Sequence, residues 1–178
     1  MKLFSYSDAS SYERASTLGR DQLLKEAKAS TASAIVFLSH SSKDDQFVPG
    51  VVAFFRKFNA GVYADDFDKR LPNPPSTKTA VILKNEIRKL PRFVALATPN
   101  SYTSRWIPWE LGLADGFRDI PPNAILPITQ EGQVPPWLTT EYLNLYPKVV
   151  TINAAWFVTD PRSSSSWTLS DWLHKPIK

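Results

Sequence analysis

The stretch Ala34-Ile35-Val36-Phe37-Leu38 is an unbroken run of apolar residues. A short run of this kind is typical of a strand that is buried on both faces, as in a parallel sheet covered by helices. Short segments that are wholly or mostly apolar recur at residues 62–64, 92–97, 124–128 and 148–152. We therefore predict five strands, in this order along the chain.

Segments with helical character separate these strands. Residues 77–90 carry apolar side chains at helical spacing, and the apolar run 51–55 lies in another helical segment, which Pro49-Gly50 either starts or kinks. A further helix starts close to Trp106, and a short last one covers residues 167–174. The alternation predicts an α/β fold, a parallel sheet of five strands with helices on both faces.

The first 33 residues differ from the rest in being polar and rich in serine. We interpret residues 1–33 as an N-terminal extension with an amphipathic helix over residues 12–29, and residues 34–178 as the main domain. No apolar run has the length of a signal peptide or of a membrane span. These observations predict a cytoplasmic protein that does not bind a membrane.

The composition excludes several classes of site. A chain of 178 residues with 43% hydrophobic and 21% charged residues is a globular domain rather than a disordered chain. Its 21 basic and 17 acidic residues are scattered, so no nucleic-acid surface is predicted. The absence of cysteine removes disulfides, thiolate metal sites and cysteine nucleophiles. With only His40 and His174, we expect no metal centre.

Polar loops follow three of the predicted strands. They are residues 39–45, residues 65–76 and the segment that leads into Trp106 and Glu110. Because the carboxyl ends of parallel strands lie at one edge of a sheet, where α/β folds bind ligands, these loops are predicted to surround one cleft.

Glu110 is an acid on the apolar side of its predicted helix. At 100° per residue it points away from Pro108 and Asp115, toward the core. Its helical neighbours at three and four positions are Trp106, Ile107, Leu113 and Ala114. Carboxylates are seldom buried without a partner. Glu110 is therefore either a structural acid, in an ion pair or at a helix start, or a carboxylate that lines a ligand cleft.

Other loop residues have both a structural and a binding interpretation. Ser39, Ser41 and Asp44 could cap a helix, or the same turn could receive a phosphate. His40 is either a solvated or structural histidine or a ligand-binding one. Phe67 could stack on a base or pack under its loop. Trp106 fits either core packing or a platform for a ring, and Trp109 is predicted to lie in the core.

Three segments together resemble the TIR domain family of bacteria. They are Phe37–Asp44, Val62–Asp66 and Ser104–Glu110, and they agree with the family in order and spacing. The resemblance covers about residues 34–175.

This resemblance implies a flavodoxin-like sheet of five parallel strands and cleavage of the bond between nicotinamide and ribose in NAD⁺. It implies that Glu110 is the catalytic residue and Trp106 its partner tryptophan, and that an acid near Asp65 lines the ligand site. Ser39, His40, Asp44, Asp65 and Phe67 are the further substrate-binding candidates. NAD⁺ is then a substrate, and no cofactor is implied.

The resemblance also implies self-association through TIR–TIR contacts. We expect hydrolysis to ADP-ribose or cyclisation to a signal of the cyclic ADP-ribose type. The chain looks like the signal-producing component of a Thoeris-type antiphage system, with a separate effector. The competing hypotheses are a non-catalytic interaction module, including a virulence factor acting through TIR assembly, and an enzyme similar to nucleoside deoxyribosyltransferases.

Overall fold

The computed structural model describes residues 1–26, 34–65, 68, 70–71, 76–117, 122–130, 138 and 141–176. Its strands are β1 (Phe4–Ser5), β2 (Ala34–Ser39), β3 (Ala60–Ala64), β4 (Arg92–Ala97), β5 (Asn123–Thr129), β6 (Lys148–Ile152), β7 (Ala155–Thr159) and β8 (Ser166–Thr168). Its α-helices are α1 (Tyr6–Ala15), α2 (Arg20–Glu26), α3 (Val48–Arg56), α4 (Thr77–Lys89), α5 (Trp106–Phe117) and α6 (Leu169–His174).

The strands form one sheet in the order β3-β2-β4-β5-β6-β7-β8. The four pairings from β3 to β6 are parallel, and β1 pairs in parallel with β5. The predicted parallel α/β sheet is confirmed, and each of the five predicted strands is present as β2 to β6. The sheet is larger than predicted, because β1, β7 and β8 also join it, the last two antiparallel.

Helices cover both faces of the sheet, as the sequence predicts. One core packs α1, α2, α3 and α6 against side chains such as Val36 and Leu96. The other packs α4 and α5 against Phe37 and Phe93. Phe37 and Leu38, neighbours on β2, lie in different cores because successive side chains of a strand point to opposite faces. Because both faces of β2 are covered, the run Ala34–Leu38 is apolar throughout.

The N-terminal residues are integrated with the sheet. Strand β1 pairs with the end of β5, and the side chains of Ser5 and Asp8 form a capping box that starts α1. The single helix predicted over residues 12–29 is wrong. Two helices occur instead, because Ser16 and Gly19 interrupt the helical segment. The division between residues 33 and 34 stays a prediction, and residues 27–33 lie outside the described residues.

Helix α1 packs against α3 at one point of very close approach. A Cβ added to Gly50 would lie 2.2 Å from the backbone oxygen of Ala9, so only glycine fits there. Pro49 lies in the first turn of α3 and therefore starts this helix rather than kinking it.

The C-terminal segment differs slightly from its prediction. The helix expected over residues 167–174 begins at Leu169, since Ser166–Thr168 forms β8. Arg92 fixes α6 to the sheet by donating hydrogen bonds to the backbone oxygens of Trp172 and Lys175. Within the described part of the chain, no helix has the length and apolar character that crossing a bilayer requires.

Candidate active site

The loops after β2, β3 and β4 meet at one cleft of about 750 Å³, as the sheet topology predicts. The lining comes from these three loops, from α4 and from the first residue of α5. The lining residues are His40, Ser41, Ser42, Lys43, Asp65, Asp68, Leu71, Thr79, Leu83, Thr103, Ser104, Arg105 and Trp106.

Helix α5 begins at the edge of this cleft. The Ser104 hydroxyl oxygen accepts hydrogen bonds from the backbone N–H groups of Trp106 and Ile107, both at 3.3 Å, and so caps the first turn. The inner side of the helix carries Ile107, Glu110, Leu111 and Ala114, all buried. The prediction that Glu110 points inward is confirmed, since only 2% of the residue is exposed.

The buried Glu110 carboxylate is fixed by Ser39, the last residue of β2. The Ser39 hydroxyl donates a hydrogen bond of 2.5 Å to Glu110 Oε2, and Ser39 itself is fully buried. Glu110 lies one helical turn after Trp106, which lines the cleft, but neither Glu110 nor Ser39 is among the lining residues. The structure therefore places the carboxylate beneath the cleft rather than on its surface.

His40 connects the loops after β2 and β3. Its side chain is fully buried, with Nε2 3.3 Å from Asp45 Oδ1 and Nδ1 3.9 Å from Asp65 Oδ1. His40 and Asp65 both line the cleft, so the structure brings these two predicted ligand residues together.

Asp44 joins the loops after β2 and β4. Its fully buried carboxylate accepts hydrogen bonds from Thr98 Oγ1 at 2.6 Å and Asn100 Nδ2 at 2.7 Å. Asp44 is not among the residues that line the cleft. These contacts suit a structural acid that sets the spacing of two loops, and substrate binding by Asp44 stays a prediction.

Trp106 and Trp109 lie together at the start of α5. Their rings pack edge to face with centroids 5.5 Å apart. The core position predicted for Trp109 is wrong, because 38% of this residue is exposed. Residues three apart share a helix face, so Trp109 lies beside Trp106 instead of opposite it.

One cluster at the cleft was not predicted from the sequence. Asp68 accepts hydrogen bonds from Tyr63 Oη at 2.6 Å and from Arg70 Nε at 2.9 Å, and Arg70 also pairs with Glu86 on α4 at 3.2 Å. The pKa of Asp68 is lowered to about 2, and the hydrogen bond from the Arg70 guanidinium is the largest cause. Burial, and then the bond to Asp68, raise the pKa of Tyr63. The predicted ligand residue Phe67 lies outside the described residues.

The structure agrees with the family resemblance seen in the sequence. The sheet is a parallel α/β sheet, the loops at its strand ends surround a cleft, and an inward glutamate follows a tryptophan by four residues. The chain belongs to the TIR domain family, whose sequence model matches residues 36–155.

Two curated relatives are similar to this chain. One, from Bacillus cereus (strain MSX-D12), is named "Probable 3' cyclic ADP-D-ribose synthase ThsB'" and is 34% identical over 116 residues, 64% of this chain and 59% of the relative. The other, from Cytobacillus dafuensis, is provisionally named cyclic ADP-D-ribose synthase TIR2. It is 36% identical over 81 residues, 43% of this chain and 21% of the relative. The chain thus spans less than two thirds of either relative.

Proposed function

We propose that this protein cleaves the bond between nicotinamide and ribose in NAD⁺, with Glu110 as the catalytic residue, and converts the rest of the molecule into a cyclic ADP-ribose-type product or ADP-ribose. The observation that carries this proposal is the buried Glu110 carboxylate, bonded to Ser39 and one turn beyond the cleft-lining Trp106. The names of the two relatives, both given as cyclic ADP-D-ribose synthases, support it.

The chemistry asks little of the protein beyond one negative charge. When the glycosidic bond breaks, its electron pair goes to the ring nitrogen and nicotinamide leaves as a neutral molecule, so no general acid is needed. Positive charge develops on the ribose, as in other glycoside cleavage. A carboxylate with little water around it stabilises that charge. Water or a nucleophilic group of the same molecule then attacks C1′. A water or hydroxyl nucleophile passes its proton to the solvent in this step.

The neighbouring residues have separate roles in this proposal. Ser39 positions the Glu110 carboxylate by its hydrogen bond, and Trp106 offers an indole face at the cleft to the nicotinamide or ribose ring. His40, directly after β2, and Asp65, directly after β3, also line the cleft and would contact the substrate there. Because Glu110 lies beneath the surface, the substrate has to reach it past Trp106.

The product would act as a nucleotide signal on a separate effector in antiphage defence. Self-association through TIR–TIR contacts belongs to the same proposal. Both parts stay predictions.

The test is release of nicotinamide from NAD⁺, measured by chromatography for the wild-type chain and for Glu110→Gln, with and without lysate from phage-infected cells. Glu110→Gln keeps the size of the side chain and removes its charge, and Glu13→Gln on α1 is the matched control. We expect release by wild type and Glu13→Gln, and a loss of about a thousandfold in Glu110→Gln, the scale of removing one electrostatic group.

Two other outcomes would overturn the proposal in different ways. No release by the wild-type chain under any condition would favour the interaction module. Equal release by Glu110→Gln would leave an NAD⁺-cleaving enzyme but would remove Glu110 from its catalytic role. Separation of the nucleotide products distinguishes ADP-ribose from cyclic forms.

A further inference from the structure

The charged residues that line the cleft are separated by sign. Lys43 and Arg105 come from the loops after the neighbouring strands β2 and β4, whereas Asp65 and Asp68 come from the loop after β3. The cleft therefore has a cationic side and an acidic side.

Among the described residues, the two acids that line the cleft have bonded or charged neighbours, whereas the two cations do not. Asp68 is bonded to Arg70 and Tyr63, and Asp65 lies beside His40. Within the described ranges neither Lys43 nor Arg105 has an acidic partner or a side-chain hydrogen bond. Two exposed positive charges thus line the cleft, and no carboxylate of the described residues is paired with them.

Asp44 fixes the spacing between the two cations' loops. It is the residue after Lys43, and its bonds to Thr98 and Asn100 reach the loop that carries Arg105. A buried carboxyl group that accepts two hydrogen bonds, of 2.6 and 2.7 Å, is a rigid connection. The cationic side is therefore held in place at its base, while the two side chains remain able to reach a ligand.

From this arrangement we propose that Lys43 and Arg105 form a binding site for the diphosphate of a nucleoside diphosphate. Arginine binds phosphate oxygens through a planar fork, and lysine binds them as a point charge. Arg105 directly precedes Trp106, so a diphosphate held here places the attached sugar and base next to the indole. The assignment of this ligand to NAD⁺ rests on the proposed function, whereas the diphosphate site itself does not.

The test measures binding without any reaction. ADP and adenosine, which differ only in the diphosphate, are titrated into the wild-type chain, Lys43→Ala, Arg105→Ala and the double variant, with NMR detection that reaches millimolar affinities. Lys25→Ala on α2, another exposed cation, is the matched control. We expect the wild type and Lys25→Ala to prefer ADP. Each cleft substitution should raise the Kd for ADP by about threefold to tenfold and leave adenosine unchanged.

Arg105→Lys should restore part of the loss, because it keeps the charge but not the planar fork. The proposal is overturned if the wild type binds ADP no better than adenosine, or if the double variant keeps the full preference for ADP. This readout is independent of catalysis: a chain that binds ADP through these residues but releases no nicotinamide contradicts the proposed function and leaves the diphosphate site standing.

Discussion

The Ser39 hydroxyl donates a hydrogen bond of 2.5 Å to Glu110 Oε2 and so joins the end of β2 to the second turn of α5. Both residues are buried, and they are 71 positions apart in the chain. The position of the proposed catalytic carboxylate is thus fixed by the central part of the sheet as well as by its own helix.

Ser39→Ala removes this bond and should lower kcat for nicotinamide release by about tenfold to a hundredfold, because the carboxylate is no longer held in one position. Loss of the buried donor should also lower the free energy of unfolding by about 1 to 3 kcal/mol. Ser170→Ala, at an exposed position of α6, should change neither quantity. An unchanged kcat in folded Ser39→Ala would show that Glu110 needs no positioning by β2.

The parallel part of the fold could be predicted from the sequence because β2, β3, β4 and β5 are buried along nearly their whole length, on both faces of the sheet. Val36, Val94 and Ile125 lie in runs that are apolar throughout, and such runs can be recognised without knowing the neighbouring strand. Strand β1 could not be found in this way. It has only two residues, Phe4 and Ser5, and it exists because the end of β5 offers a free edge for pairing.

The part of the candidate site that could be predicted from the sequence is the part where a single residue is unusual for its position. An inward glutamate stands out on an apolar helix face, and Glu110 is buried as expected. The cluster of Tyr63, Asp68 and Arg70 carried no such signal, since polar residues after a strand are the rule in any loop. Only the folded positions show that Asp68 is bonded by both neighbours.

The hairpin of β6 and β7 explains another missed element and gives a prediction. Its loop consists of Asn153 at φ 49° and Ala154 at φ 63°, both in the left-handed region. A two-residue hairpin loop of this kind usually carries Asn-Gly, and the alanine hides that signal. Ala154→Gly should raise the free energy of unfolding by up to about 1 kcal/mol, because alanine is strained there.

The measurement is denaturant unfolding of Ala154→Gly beside Ala155→Gly, the first residue of β7. Ala155→Gly should lower the free energy of unfolding by about 0.5 to 1 kcal/mol, because glycine gives the unfolded chain more conformational entropy to lose on folding. If both substitutions destabilised the protein equally, the strain assigned to Ala154 would be absent.

The contact of α1 with α3 predicts opposite effects at two helical glycines. Gly50→Ala places a methyl group 2.2 Å from the oxygen of Ala9 and must push the helices apart. We expect a loss of about 1 to 3 kcal/mol in unfolding free energy. Gly112→Ala on α5 meets no atom within 4 Å and should instead add about 0.5 to 1 kcal/mol through helix propensity. Thermal unfolding of both variants tests the difference in sign, and equal Tm values would contradict the close packing of α1.

Asp68 makes stability depend on pH in a defined window. Its pKa in the folded chain is about 2, below the ordinary aspartate value of 3.8, so its contribution to stability is present above about pH 4 and is lost as the pH falls toward 2. This contribution to the free energy of unfolding amounts to about 2 kcal/mol, and Asp68→Asn should remove it.

Denaturant unfolding at several pH values should therefore show the stabilities of wild type and Asp68→Asn converging between pH 4 and pH 2. Because Arg70 is the larger cause, Arg70→Gln should flatten the wild-type pH dependence more than Tyr63→Phe does. Parallel curves for wild type and Asp68→Asn across this window would mean that the Arg70 contact does not stabilise the cleft loop.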